Sequence, residues 1–133
     1  MKYFVVSDIH SYYEPLIQAL NEAGFDETDS AHKLIICGDL LDRGPDSIKC
    51  ISFINRLIDK GRAICIKGNH EILLQDCCYR GFAYSHDKSN GTVRTILDLG
   101  GYADSHDFNL SCANTIRTVR KYMKPCVTLI LWA

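Results

Sequence analysis

Three short apolar runs, each ending abruptly in a cluster of polar groups, constrain this chain more than any other feature of its sequence. Residues 2–6 give way to Ser7-Asp8-Ile9-His10. Residues 33–37 open into Gly38-Asp39-Leu40-Leu41-Asp42-Arg43-Gly44, and Ala63-Ile64-Cys65-Ile66 into Lys67-Gly68-Asn69-His70-Glu71. Short length and β-branched or aromatic content make each run a strand, the first of them buried on both faces. Helical patterns fill the gaps. Pro15 suits a first turn, Leu16, Ile17, Leu20 and Ala23 form one stripe, and Gly24 ends it. Asp26–His32 is polar and turn-like, with His32 a solvated loop histidine. Pro45-Asp46-Ser47 starts a second helix, with Ile48, Ile51, Ile54, Leu57 and Ile58 inward and Gly61 as its stop. A third runs from Glu71 to about Tyr79 on a face of Ile72, Leu73 and Cys77.

The order β-α-β-α-β-α calls for parallel strands joined by right-handed crossovers, an α/β fold. Beyond residue 80 the pattern thins. Gly81–Asn90 reads as a loop, Thr92–Leu97 as a short helix before Gly100-Gly101, Asn114–Met123 as a basic amphipathic helix, and Val127–Trp132 as a last apolar run suited to a strand. Nothing in the sequence marks a repeat, a linker or a second domain, so residues 1–133 are expected to form a single domain.

Composition narrows the function classes. A net charge of -1 gives no electrostatic case for nucleic acid or an anionic membrane. No apolar run has the length of a membrane-spanning helix, and Met1–Val6 is too short for a signal peptide, so a cytoplasmic location is expected. The seven cysteines are odd in number and lack any CxxC spacing. They read as small hydrophobes in a reducing compartment rather than as a zinc or disulfide framework.

In a parallel sheet the loops after the strands emerge at one edge, which brings Asp8, His10, Asp39, Asn69 and His70 together from distant positions. Carboxylate, imidazole and amide oxygen suit divalent cations such as manganese, iron or zinc. Asp39, at the centre, has two oxygens with spare lone pairs and can bridge two ions. Each motif also has a plainer reading: Asp42 with Arg43 as a structural loop pair, and Asn69 as a helix cap.

In combination and in this order, Asp8-Ile9-His10, Gly38-Asp39-Leu40-Leu41-Asp42-Arg43-Gly44 and Gly68-Asn69-His70-Glu71 resemble the calcineurin-like metallophosphoesterases over about the first ninety residues. The Asp42-Arg43-Gly44 extension is similar to the phosphoprotein phosphatase branch, which includes bacterial and phage serine/threonine protein phosphatases. The resemblance implies a metallophosphoesterase-type αββα sandwich, of which this chain would supply the N-terminal β-α-β-α-β half. It implies that Asp8 and His10 hold a first metal, that Asp39 bridges two, and that Asn69 binds the second. Arg43 would grip phosphate oxygens, and His70, kept in place by Asp42, would be the general acid, with Arg43, Asn69 and His70 contacting the substrate. The implied reaction is two-metal phosphoester hydrolysis by a metal-bridging hydroxide, with manganese the foremost metal and iron or zinc as others. The implied substrate is a phosphoprotein or a small phosphoester, and related enzymes that hydrolyse diadenosine polyphosphates share the three motifs.

The sequence departs from the family where the second metal needs two later histidines, one in a Val-His-Ala/Gly-like strand end and one in a Gly-His segment. The later histidines, His86 and His106, follow no strand-like run. The reading that follows is the N-terminal part of a longer phosphatase, with a first metal site nearly complete and a second supplied by Asp39 and Asn69 alone. A substitute ligand at His86 or His106 is the alternative within the enzyme class. A non-catalytic remnant or binding subunit is the alternative outside it.

Overall fold

In the computed structural model, residues 1–101 and 107–123 are described. The elements are β1 (Lys2–Val6), α1 (Tyr13–Glu22), β2 (His32–Cys37), α2 (Ser47–Asp59), β3 (Ala63–Ile66), α3 (Asn69–Arg80), α4 (Ser85–Ser89), α5 (Thr92–Gly100) and α6 (Phe108–Met123). The three strands form one parallel sheet in the order β1-β2-β3, with Phe4 opposite Leu34 and Ile36 opposite Cys65. Sequential order with crossovers of the usual right hand puts α1 and α2 on the same face. This is the α/β architecture expected of a partial metallophosphoesterase fold.

Burial alternates along the strands. Phe4, Leu34, Ile36, Ala63 and Cys65 point into the helical layer, where Leu16, Leu20, Ile51, Ile54, Leu57, Leu74 and Ile96 complete the core. Among the described residues the opposite face stays open, with Tyr3 57 %, Val5 62 % and Ile64 39 % exposed. The expectation that the first strand is buried on both faces is therefore corrected. One layer of helices covers one face, and strands in such a half-covered sheet alternate rather than running apolar throughout.

Several helix boundaries and faces also differ from the sequence reading. In α2, Ile48 is exposed and the buried side is Cys50, Ile51, Phe53, Ile54 and Leu57. In α3, Ile72 points to solvent, while His70, Glu71, Leu74, Cys77 and Cys78 are buried. A polar pair takes the inward positions there because the helix start belongs to the site. The 81–90 loop contains the single-turn helix α4, whose first turn is held by Asp87 accepting the Tyr84 N–H at 2.7 Å and Arg80 Nη2 at 2.6 Å. His32 is no solvated loop residue: it begins β2, its ring meets Phe4 and Phe25, and Nδ1 accepts the Asp26 N–H at 3.0 Å. The run 127–132 lies outside the described residues.

Candidate active site

The loops that leave β1 and β2 continue to pair after the sheet ends. The His10 N–H donates to Asp39 O at 3.0 Å, Ser11 N–H to Leu40 O at 2.8 Å, and Gly44 N–H to His10 O at 2.8 Å. This approach is close enough that a Cβ on Gly44 would overlap the His10 carbonyl. Holding two loops so tightly forces unusual backbone. Asp8, His10, Ser11, Asp39, Asp42 and Arg43 all have positive φ, between 49° and 72°. Residues other than glycine occupy this region at a cost of roughly 1–3 kcal/mol, and such outliers cluster at functional sites. Every positive-φ non-glycine among the described residues lies on these two loops.

The strained loops aim three ligand groups at one point: ligand atoms of Asp8, His10 and Asp39 lie within 4.8 Å of one another. His10 is buried, and its Nδ1 is 3.1 Å from the Leu41 carbonyl. A carbonyl only accepts, so Nδ1 carries the proton and Nε2 keeps its lone pair, 3.9 Å from Asp8 Oδ1. A histidine fixed in this way through its second nitrogen is the usual arrangement of a metal ligand. Asp39 Oδ1 accepts the His70 N–H at 3.0 Å, at the start of α3. With its amide nitrogen toward Asp39, Asn69 donates to Oδ1 at 3.2 Å and Oδ2 at 3.1 Å. Asn69 therefore sits beside the central carboxylate, with its oxygen one side-chain rotation from the same point. Two carboxylates, one imidazole lone pair and a neighbouring amide fit a divalent cation of the manganese, iron or zinc kind.

A second cluster lies against the first. Asp42, fully buried, has Oδ2 2.9 Å from His70 Nδ1. Thr92 Oγ1 donates to Oδ2 at 2.8 Å and Thr95 Oγ1 to Oδ1 at 2.7 Å. With Nδ1–H directed at Asp42, His70 Nε2 accepts from Arg43 Nη2 at 3.4 Å. The His70 and His10 rings meet edge to face, 4.7 Å between centroids. Asp42 and Arg43 are therefore not the structural pair that their adjacency allows. At positive φ their side chains diverge, one into the core and one to solvent.

Two features escaped the sequence reading. Glu71, fully buried, accepts the N–H groups of Asp39 at 2.8 Å, Leu40 at 2.9 Å, Leu41 at 3.4 Å and Gly68 at 2.8 Å. One carboxylate thus clamps the β2 loop to the start of α3. Its local signal was present, since a glutamate at the third helical position after Gly68 is the capping-box spacing, but its partners on the β2 loop have none. Thr92 and Thr95 reach Asp42 from α5, a helix that the sequence places without connecting it to the site. Of the two later histidines, His86 stands exposed on α4, its Nε2 3.4 Å from Asp87 Oδ1 and outside the ligand cluster. His106 lies outside the described residues.

The match to known proteins agrees with this geometry. The family model described as calcineurin-like phosphoesterase matches residues 1–130. The chain belongs to the calcineurin-like phosphoesterase family. Within it, the chain is 34% identical over 97 residues to a symmetrical bis(5'-nucleosyl)-tetraphosphatase of Photorhabdus laumondii, covering 73% of this chain and 33% of that one. It is 33% identical over 76 residues to the asymmetrical enzyme PrpE of Bacillus velezensis, covering 53% of this chain and 30% of the relative. It is also 37% identical over 73 residues to serine/threonine-protein phosphatase 1 of Salmonella typhimurium, covering 55% and 31%. The chain spans about a third of the length of these curated relatives.

Proposed function

We propose that this chain carries the phosphoester-hydrolysing site of a divalent-metal-dependent phosphatase, within one partial metallophosphoesterase domain over residues 1–133. The observation that supports it best is the meeting of Asp8, His10 and Asp39 within 4.8 Å, beside the His70–Asp42 pair. Asp8, His10 and Asp39 would hold one ion, with Asp39 and Asn69 offered to a second; bound metal supplies Lewis-acid polarisation of the phosphate and a more acidic water. The chain's own groups supply the rest. Arg43, exposed and carrying a permanently charged planar fork, binds two phosphate oxygens. Binding phosphate draws Arg43 away from His70 Nε2, which then takes up a proton from solvent and delivers it to the departing oxygen. Asp42, on Nδ1, stabilises the imidazolium in that state. Its donors leave no oxygen of the buried carboxylate without a partner.

Among substrates, the relatives named bis(5'-nucleosyl)-tetraphosphatase support a dinucleoside tetraphosphate. The motif resemblance supports phosphoserine or phosphothreonine, as does the relative named serine/threonine-protein phosphatase 1. We favour the dinucleotide. Hydrolysis of diadenosine tetraphosphate and of a phosphoserine peptide, compared with manganese, decides the order. The expected result is faster release from the dinucleotide, abolished in Asp39→Asn, and a preference for the peptide would reverse the assignment. Since His86 stands outside the cluster, this chain alone is expected to bind one ion well and to turn over slowly.

A further inference from the structure

We propose that Thr92 and Thr95 of α5 are positioning residues that set the tautomer and aim of His70 by fixing the Asp42 carboxylate. The inference rests on the reading of His70 as the group that protonates the departing oxygen. It starts from a mismatch between burial and need. Asp42 is fully buried, and among the described residues its side-chain bonds come from the imidazole of His70 and the two threonine hydroxyls rather than from a lysine or arginine. Both threonines are themselves buried, at 0 % and 1 % exposed. Their spacing of three residues puts the two hydroxyls on one face of α5.

The hydroxyl protons are committed to Asp42. Thr95 Oγ1 also lies 3.3 Å from Gly91 O, the ordinary back-bond of a helical threonine, but the carboxylate oxygen is closer, at 2.7 Å, and charged. With Thr95 on Oδ1 and Thr92 on Oδ2, the carboxylate cannot turn about its Cβ–Cγ bond without breaking a bond. A fixed carboxylate offers His70 an acceptor and never a donor, so the ring places its proton on Nδ1 and leaves Nε2, which faces Arg43, as the nitrogen that takes up the proton for the departing oxygen. A carboxylate with His70 as its one partner is free to rotate, and the ring then loses the bond that sets its tautomer. The arrangement also explains why α5 packs where it does. Gly91, at φ 86°, begins the helix against the Arg43 backbone, where a Cβ would lie 2.5 Å from Arg43 N.

Thr92→Val and Thr95→Val keep volume and remove the hydroxyl, while Thr92→Ser and Thr95→Ser keep the hydroxyl and lose a methyl group. Long-range proton–nitrogen NMR of the His70 ring in the chain without substrate reads the tautomer directly. Wild type and the serine variants should show Nδ1–H, and the double valine variant a mixture of tautomers. Turnover with manganese supplies an independent readout through leaving-group sensitivity. p-Nitrophenyl phosphate departs with little help and phenyl phosphate needs a proton, so the double valine variant should lose roughly tenfold to a hundredfold more rate on phenyl phosphate. The serine variants should restore it. If the double variant does not fold, the two single valine variants carry both measurements. A folded valine variant with wild-type tautomer and unchanged leaving-group ratio overturns the proposal. A wild-type chain with no turnover removes the proposed activity instead, and the ring NMR alone then decides the positioning role.

Discussion

Glu71 shows how much of this site one residue can hold. Its carboxylate accepts N–H groups from both the β2 loop and the cap of α3. Glu71→Gln turns one acceptor oxygen into a donor facing donors, and an unsatisfied buried group of this kind costs about 1–3 kcal/mol. Urea unfolding should show that loss, together with weaker manganese binding because Asp39 moves with its loop. Asp42→Asn keeps shape but withdraws the charge from His70. Turnover should fall by roughly 10²–10⁴-fold on a poor leaving group, with the Michaelis constant little changed. The legibility of these residues followed their neighbours in sequence. Asp8, His10, Asp39, Asn69 and His70 stand in compact motifs at strand ends, and the sheet had only one edge at which to bring them together. Glu71 was visible as part of a motif but not as a clamp, because its partners Asp39 and Leu40 lie over thirty positions upstream. Thr92 and Thr95 carried no signal at all. A hydroxyl in a helix looks the same whether it faces solvent or a buried carboxylate fifty positions away.

At the scale of elements, the strands were the most legible part, since β1 and β3 occupy the residues expected and β2 begins one residue early. Helix faces were read less well. Periodicity assigns Ile48 and Ile72 inward, and both point to solvent, because polar site residues take the inward positions of α3 and because a stripe of isoleucines can be rotated by one residue at little cost in apolar count. The α4 turn is too short to show a period. Between elements, the contact of Gly91 with the Arg43 backbone makes α5 a wall of the site. Gly91→Ala would place a Cβ 3.0 Å from Arg43 Cα at a φ that disfavours a side chain. A loss of about 1–3 kcal/mol in urea unfolding and a rise in the Michaelis constant should follow, the latter because Arg43 moves. An unchanged Michaelis constant would separate α5 from phosphate binding.

At the scale of the whole molecule, the thiols report on how the core is closed. Burial pushes the Cys50 thiol up to about 12 and Cys77 to about 11, and raises Cys78 and Cys112 as well. Thiols of the unfolded chain lose their protons near 8.5, so above that pH the folded state binds more protons than the unfolded one. Stability should be fully present below about pH 8.5 and fall as pH rises toward 12. Urea unfolding across that window should show the slope, reduced in Cys50→Ala. No helix among the described residues is long and apolar enough to cross a membrane. The open sheet face, with Tyr3, Val5 and Ile64, is the surface on which a second layer of the family's sandwich would pack. The ligands on the three loops all come from this chain, Asp8, His10 and Asp39, and should bind metal without that layer. The most direct test of the account is manganese binding to the purified chain, followed by electron paramagnetic resonance in wild type and Asp39→Asn. The account predicts saturable binding near one ion per chain, weakened at least about tenfold by the substitution. Equal, weak binding by both proteins would contradict it.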